Sequence, residues 1–429
     1  MTSVAWRSKL ISFSENLSSK PLRILIHGIN YAPELTGIGK YTGEMAAWLV
    51  AQGHKVCVVT APPYYPEWKV ALGYSTSYYK HEDIDGLYVW RCPLYVPAKP
   101  SGLNRIMHLA SFSLSSLPIM IRQILWKPDV VIVVEPPLFC APSAWLVARL
   151  SRAKCWLHIQ DFEVDAAFDL GIIPYAWMKH MASAIERWVM RRFDAVSTIS
   201  HSMLNSLRKK GVDEPILFPN WSDISSMRFD GSGRTLFRAK LGVGEGQCLC
   251  LYSGNIAVKQ GLEILLEVAE KLPDFRFVIC GDGVNRKALQ DEVDRLELAN
   301  IAFLPLQPLE RLPAMLSAAD IHLVIQRRGA ADLVMPSKLA NILAIGGPAI
   351  VTVEEDSELG RLAEGDNPCV FRCDPENAEK LETAIVQLYG NKDMVEKISI
   401  NARVYAEQQI DMERVLGKFE QSLRDLVEH

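Results

Sequence analysis

The sequence predicts an α/β protein built as two doubly wound, parallel-sheet domains in tandem. Three observations carry that expectation. The chain has 429 residues, and a single core rarely grows past ~250–300 residues before a chain divides. Short, nearly continuous apolar runs alternate with longer amphipathic ones, the pattern of parallel strands covered by helices on both faces. That alternation stops near Pro219 and restarts near Cys248.

In the first half the predicted strands are Leu22–His27, Lys55–Thr60, Gly86–Arg91, Val130–Val134, Lys154–Ile159 and Ala195–Ile199, with helix formers over Gly43–Gln52. In the second they are Cys248–Ser253, Arg276–Cys280, Ile301–Leu304, Ile321–Ile325, Ala349–Val353 and Val370–Cys373. Asn220–Gly233, rich in Asn, Ser, Asp and Gly, reads as the connection. The expected organisation is an N-terminal extension over 1–20, a first domain over 21–219, a linker over 220–235, a second domain over 236–405 and a closing helix over 406–429 that returns to the first domain. Doubly wound sheets bind ligands beyond the carboxyl ends of their strands. Two such ends facing one cleft would suit two substrates.

Composition narrows the classes. Lys+Arg 46 against Asp+Glu 50 gives a net charge of −4, which argues against a nucleic-acid partner. Hydrophobic residues at 49% exclude a disordered chain. Nine scattered cysteines without a C-x-x-C pair suggest reduced thiols and a cytoplasmic setting. Cys248 and Cys250 alternate on one strand and should face one core layer. The longest uncharged apolar stretch, Ile106–Ile121, falls short of the ~20 residues of a spanning helix.

The loop after the first strand reads His27-Gly28-Ile29-Asn30-Tyr31-Ala32-Pro33-Glu34, followed by Thr36-Gly37-Ile38-Gly39-Lys40-Tyr41. Small residues ahead of a helix let backbone amides approach an anion. A Walker A loop would need Gly at Glu34 and Ser or Thr at Tyr41, and a dinucleotide fingerprint would need its glycines nearer the strand. A plain helix-entry turn fits as well as a phosphate contact. Asp83-Ile84-Asp85 has the D-x-D form of a metal motif but stands before Gly86, where a turn explains it. No metal site is expected.

His158-Ile159-Gln160-Asp161-Phe162-Glu163 follows a buried strand, so an imidazole and carboxylates stand where they could position or deprotonate a hydroxyl. The alternative is a helix start capped by Asp161. His27 reads better as a packed core histidine. In the second half, Ser253-Gly254-Asn255 through Lys259-Gln260-Gly261 repeats the strand–glycine–helix arrangement, and Gly281-Asp282-Gly283 allows close ligand approach. Gln326-Arg327-Arg328 and the run Asp332–Asn341, with Ser337 and Lys338 after Pro336, bring cations and polar groups to another strand end.

With these residues in view, the chain resembles the retaining GT-B glycosyltransferases of glycosyltransferase family 4, over nearly its whole length after residue 21. The likeness is carried by ILIHGINYAPELTGIGKYTGEMAAWL, VTAPPYYPEW, RCPLYVP, HIQDFEVDA, FPNWSDI, LYSGNIAVKQGLE and QRRGAADLVMPSKLANILAIGG. It implies two Rossmann-like domains, the second holding a nucleotide diphosphosugar and the first an acceptor. Donor contacts are expected from Gly37, Gly39, Gly254, Asn255, Lys259, Gln260, Gly281, Leu306, Arg327, Arg328, Ser337, Lys338, Leu339 and Asn341. Acceptor contacts are expected from Tyr31, Glu34, Lys40 and Glu163, and catalytic roles from His158, Asp161 and Asp332.

The sequence departs from the family pattern at the donor site. The Arg and Lys of the diphosphate loop fall at Asn255 and Gln260, with Lys259 one position off; the two glutamates fall at Leu333 and Asn341, with Asp332 one position off. Arg327, Arg328 and Lys338 are therefore expected to supply the diphosphate charge.

The expected activity is transfer of a sugar, L-fucose from GDP-fucose as the leading candidate, to a polyprenyl-diphosphate-linked acceptor in a colanic-acid-like exopolysaccharide pathway. Neither metal nor cofactor is expected. The expected location is peripheral, on the cytoplasmic face of the inner membrane, with Asn104–Lys127 either an interfacial anchor or a core-facing helix. A UDP-sugar transferase of the same fold and a non-catalytic sugar-nucleotide-binding protein are the alternatives. A nucleotide-sugar epimerase or dehydrogenase is disfavoured by the missing dinucleotide fingerprint.

Overall fold

The structure, a computed structural model, describes residues 20–34, 37–84, 86–98, 102–165, 176–328 and 337–429. The chain divides into two units. The first comprises Met1–Ile199, Met203–Phe218 and Leu416–His429; the second comprises Ser200–Ser202 and Pro219–Val415.

The first unit is built on an eight-stranded sheet in the order β3-β4-β2-β1-β5-β6-β7-β8. Its strands are β1 (Arg23–His27), β2 (Lys55–Thr60), β3 (Lys80–Ile84), β4 (Leu87–Arg91), β5 (Val130–Glu135), β6 (Lys154–Ile159), β7 (Ala195–Thr198) and β8 (Ile216–Leu217). All pairs are parallel except β3 with β4. Register is set by central apolar residues, Ile24 lying beside Val56 on one side and Val130 on the other. Every residue of β5 is buried, as a strand covered on both faces requires. Helices α1 (Gly37–Ala51), α2 (Gly102–Trp126), α3 (Ala141–Ser151), α4 (Ala176–Met190) and α5 (His201–Lys209) make the connections.

Strand β3 escapes the sequence reading. Its first four residues, Lys-His-Glu-Asp, are polar, and the strand, closed by Ile84, is largely exposed because it is an antiparallel edge strand. Asp83 therefore lies on a strand opposite Tyr88, not in the expected turn. Asp85 falls outside the described residues.

The second unit has a wholly parallel six-stranded sheet, β11-β10-β9-β12-β13-β14. The strands are β9 (Leu249–Ser253), β10 (Arg276–Cys280), β11 (Ile301–Leu304), β12 (Ile321–Val324), β13 (Ala349–Thr352) and β14 (Phe371–Cys373). Side-chain alternation on β9 sends Leu249 and Leu251 into one core layer and Cys250 and Tyr252 into the other. Cys248 joins Cys250 there, their sulfurs 3.9 Å apart, as packed thiols.

The stretch 220–235, read from composition as a linker, is corrected in part. Helix α6 (Gly231–Lys240) begins within it, and the Asp230 carboxylate caps it by accepting from the amide of Gly233 at 2.8 Å. Helices α7 (Ile264–Lys271), α8 (Arg286–Arg295), α9 (Leu312–Ala318), α10 (Ser337–Ala344), α11 (Ala378–Gly390) and α12 (Lys392–Tyr405) complete the unit. The last helix, α13 (Met412–Glu428), carries residues of the first unit from Leu416 onward. There Phe419 stacks on Phe218 and meets the edge of Trp156, and Glu420 bonds His54 at 3.1 Å.

Candidate active site

In the second unit the loops after β9 and β10 press together backbone to backbone. The amide of Gly254 donates to Cys280 O at 2.9 Å, and that of Ile256 to Asp282 O at 2.8 Å. A Cβ on Gly281 would collide with the carbonyl oxygen of Gly254, and Gly281 has φ 156°, a backbone that side chains disfavour. Glycine at this strand end is therefore required by contact as well as by conformation. The β9 loop continues through a 3-10 turn, Val258–Gln260, and Gly261 at φ 66° ahead of α7.

Cations gather at the same strand ends. Lys338, on the first turn of α10, sets its ammonium 4.8 Å from the ring centroid of Tyr252, and its side chain passes beside Gly254. The Tyr252 hydroxyl donates to Asn255 O at 2.7 Å and so ties the β9 loop to the ring beneath the lysine. Arg327 packs over Gly261 and pairs loosely with Glu263 at 3.3 Å, while its buried Nε has no partner among the described residues. Arg328 is exposed. Beside them, Gln326 is held by its backbone to Thr352 Oγ1 at 2.8 Å, with its buried Oε1 left unsatisfied among the described residues. An ammonium and guanidinium groups beside an open glycine backbone suit a diphosphate.

In the first unit the loop after β1 is braced from below. Glu34 accepts from the amides of Tyr64 and Tyr65, each at 3.0 Å, and from Asn30 Nδ2 at 2.9 Å. Burial pushes its carboxyl above the usual range, opposed by those three bonds and by Arg91. Arg91, itself buried, donates to the carbonyls of Ala32 and Ala61 and to Glu82, joining the loops after β1 and β2.

The carboxyl ends of β5 and β6 carry a group of acids. Glu135 is fully buried, and neither carboxyl oxygen has a partner among the described residues. Burial first, then Glu163 and Glu186, hold its pKa well above the ordinary value. Glu163 accepts from the amide of Leu138 at 2.8 Å. Glu186 and Asp165 share Lys210, Asp165 at 2.9 Å. Asp161 is exposed, and the side chain of Asp165 is 41% exposed. Desolvation raises the pKa of Asp161 despite the Arg105 charge and the Phe162 amide.

Comparison with known proteins agrees with this architecture. Residues 36–221 match the glycosyl transferase 4-like domain, and residues 233–405 match glycosyl transferases group 1. The chain is 46% identical over 411 residues to the putative colanic acid biosynthesis glycosyl transferase WcaI of Escherichia coli K12, covering 94% of this chain and 100% of that protein. The chain belongs to the GT-B glycosyltransferases. Among solved structures, sucrose-phosphate synthase of Thermosynechococcus elongatus superposes with a TM-score of 0.69 at 14% identity, over 95% of this chain and 99% of that one. Anabaena HepE, solved in complex with UDP, superposes at 0.66 with 13% identity over 94% and 100%. At such identities the likeness is one of fold.

The structure of the glycosyltransferase gathers some of the expected site residues at the strand ends and buries others. Gly254, Asn255, Gln260, Gly281, Arg327 and Lys338 do converge at the strand ends, and Leu306 stands 68% exposed just past β11. Leu339 is wholly buried in the core, so it is corrected to a packing residue. Asn341 accepts from Ser222 Oγ at 3.0 Å. His158, expected at the acceptor, is 3% exposed, with Nδ1 against Ser197 Oγ at 2.9 Å and Nε2 against Gln160 at 3.0 Å. Burial lowers its pKa to about 3, so it is a neutral, packed imidazole. His27, at 0% exposure beside Ser116, is likewise core.

Tyr31 lies 4% exposed under the Arg91 guanidinium, and the Glu34 carboxylate is spent on its three donors, so both are corrected from acceptor contacts to loop braces. Gly37 at φ 59° opens α1, and Gly39 leaves no room for a Cβ against Glu34. Lys40 faces Glu44 at 3.8 Å. Asp332 and the side chains of Lys259 and Ser337 fall outside the described residues. Among the described residues, no His, Cys, Asp and Glu cluster is placed to hold a metal ion.

Two residues escaped the sequence reading. One is Arg91. The other is Arg286, which bonds the carbonyls of Gly281 and Leu304 and braces the β10 loop. An arginine opening α8 opposes the helix dipole, a signal that it is tied elsewhere.

Proposed function

We propose that the protein transfers a sugar, with retention of configuration, from a nucleotide diphosphosugar to a polyprenyl-diphosphate-linked acceptor in a colanic-acid-like exopolysaccharide pathway, at the cytoplasmic face of the inner membrane. The full-length match to a relative named for colanic acid biosynthesis is the observation that carries this reading. L-fucose from GDP-fucose is the donor put first. The UDP-glucose bound in one HepE structure favours a UDP-sugar as the second reading.

The chemistry follows from charge. Breaking the sugar–phosphate bond leaves negative charge on the diphosphate and positive charge on the sugar. Lys338, Arg327 and Arg328 stabilise the leaving group, and fixed donors of this kind are worth ~2.7–4 kcal/mol each. Leu306 supplies an apolar surface for the base, and Asn341 with Asp332 holds the ribose and sugar hydroxyls. Asp161 receives or orients the acceptor hydroxyl. Neither metal nor cofactor enters this scheme.

Thermal shift with GDP, UDP and ADP, followed by transfer assays with the matching sugars in chelator, tests the reading. A melting-point rise with GDP or UDP and undiminished turnover in chelator are expected. No shift with any nucleotide would remove the donor assignment, and a strict Mg²⁺ or Mn²⁺ requirement would remove the metal-free mechanism.

A further inference from the structure

Helices α2, α3 and α4 follow β4, β5 and β6, and the chain crosses the first sheet in one direction through all three. Right-handed crossovers therefore put them on the same face of that sheet. Helices α2 and α3 touch, and Arg192, just past α4, lies over Trp145 of α3 at 5.6 Å and Trp188 of α4 at 4.5 Å. They form one continuous layer.

The outside of this layer is apolar. On α4, Trp177, Met181, Ile185 and Trp188 recur at helical spacing and are 64%, 52%, 52% and 52% exposed. The inner side of the same helix buries Glu186 with Val189 and Met190. A helix that shows its tryptophans to solvent and buries its carboxylate inverts the usual arrangement. Leu125 of α2 and Leu150 of α3, at 83% and 58%, extend the patch. Isolated exposed apolar residues are ordinary; a run of them across three neighbouring helices marks a contact surface.

Charge selects the partner. Residues 102–127, 141–154 and 176–192 together hold ten Lys and Arg but a single acid, Glu186, in a chain whose net charge is −4. That acid is buried against Lys210. The face thus offers tryptophans, aliphatic side chains and cations, with Arg149 and Arg187 exposed on it. Such a surface matches the interface of an anionic bilayer. No described helix is long and apolar enough to cross a membrane.

We infer that the outer face of α2, α3 and α4 is a docking surface for anionic lipid, with α4 lying along the headgroup boundary. The inference deepens the reading of a lipid-linked acceptor by placing the surface that meets the lipid. It also moves the contact from the 104–127 segment alone to a layer centred on α4. The buried half of α2, including Phe112, Ile119 and Met120, serves the core.

Flotation of the full-length protein with phosphatidylcholine vesicles, with and without phosphatidylglycerol, tests this. Binding is expected only with phosphatidylglycerol and should weaken as salt rises. The double variants Trp177→Ser/Trp188→Ser and Arg149→Glu/Arg187→Glu should each lower partitioning about tenfold or more, with melting temperature unchanged. No binding to the anionic vesicles, binding unaltered in both variants, or a change of oligomeric state in place of lost binding would overturn the inference. Vesicle binding retained by a protein that transfers no sugar would uphold the docking surface and defeat the functional reading.

Discussion

The ammonium of Lys338 stands over the aromatic ring of Tyr252, 4.8 Å from its centroid, with Gly254 beside the lysine's stem. One strand end thus carries an aligned cation, an open backbone and a tyrosine whose hydroxyl locks the loop. Lys338→Ala should lower kcat/KM by about 10²–10³-fold, the effect of deleting one fixed donor to a developing anion. Tyr252→Phe, which loses only the bond to Asn255 O, should cost ~0.5–1.5 kcal/mol of stability. Steady-state kinetics and melting curves check the pair, and equal activity in Lys338→Ala would dismiss the lysine.

Glycine at 281 is demanded by the carbonyl of Gly254, whereas a methyl group added to Gly417 on α13 would meet nothing within 4 Å. Gly281→Ala should therefore lower both melting temperature and nucleotide affinity. Gly417→Ala should raise stability by ~0.5–1 kcal/mol through helix propensity. The two melts, with and without nucleotide, read the difference.

Glu135 gives a pH signature. Its folded carboxyl keeps its proton well above 4.5, while the unfolded chain releases it near 4.5, so folding takes up a proton. The stability it contributes is present below about pH 4.5 and is lost as pH rises towards the folded pKa. Glu135→Gln should then raise the melting temperature at pH 7–8 and lose that advantage near pH 4. A pH series of melting curves shows it; a pH-independent difference would contradict a carboxyl whose pKa burial raises.

Histidine behaves oppositely. His27 and His158 are held near pKa 3 by burial, against 6.5 when free, so the stability tied to their neutrality is present above about pH 6.5 and is lost as pH falls towards 3. Each should cost up to ~1.4 kcal/mol per pH unit across that window. Urea melts from pH 7 to pH 5 should show the decline, and replacing His158 by Gln should reduce its slope.

Asp161 and His158 separate in kinetics. Asp161→Asn, at an exposed strand end, should reduce kcat by ~10²–10⁴ with the melting temperature unaltered. Replacing His158, whose ring nitrogens both face buried partners, should lower stability first. The reverse pattern would restore the histidine as the group that meets the acceptor.

How much of this could be read in advance depended on where each signal resides. Strands such as Lys154–Ile159 and Arg276–Cys280 were legible because burial on both faces demands unbroken apolar runs. β3 was hidden by its edge position, which lets it be polar, and α6 by glycines that outweighed the Asp230 cap. The glycine loops after β9 and β10 were visible as motifs. The braces Arg91 and Arg286 were not, since each acts on carbonyls brought near only by folding. His158 misled because a residue at a strand's end can point into the core as readily as towards a ligand.

Hydrogen exchange of the full chain, with and without GDP or UDP, tests the central claim most directly. The account predicts that a nucleoside diphosphate slows exchange at the amides of 254–261 and 281–283 in wild type and does so weakly in Lys338→Ala. Protection confined to other segments, or equal protection in both proteins, would contradict it.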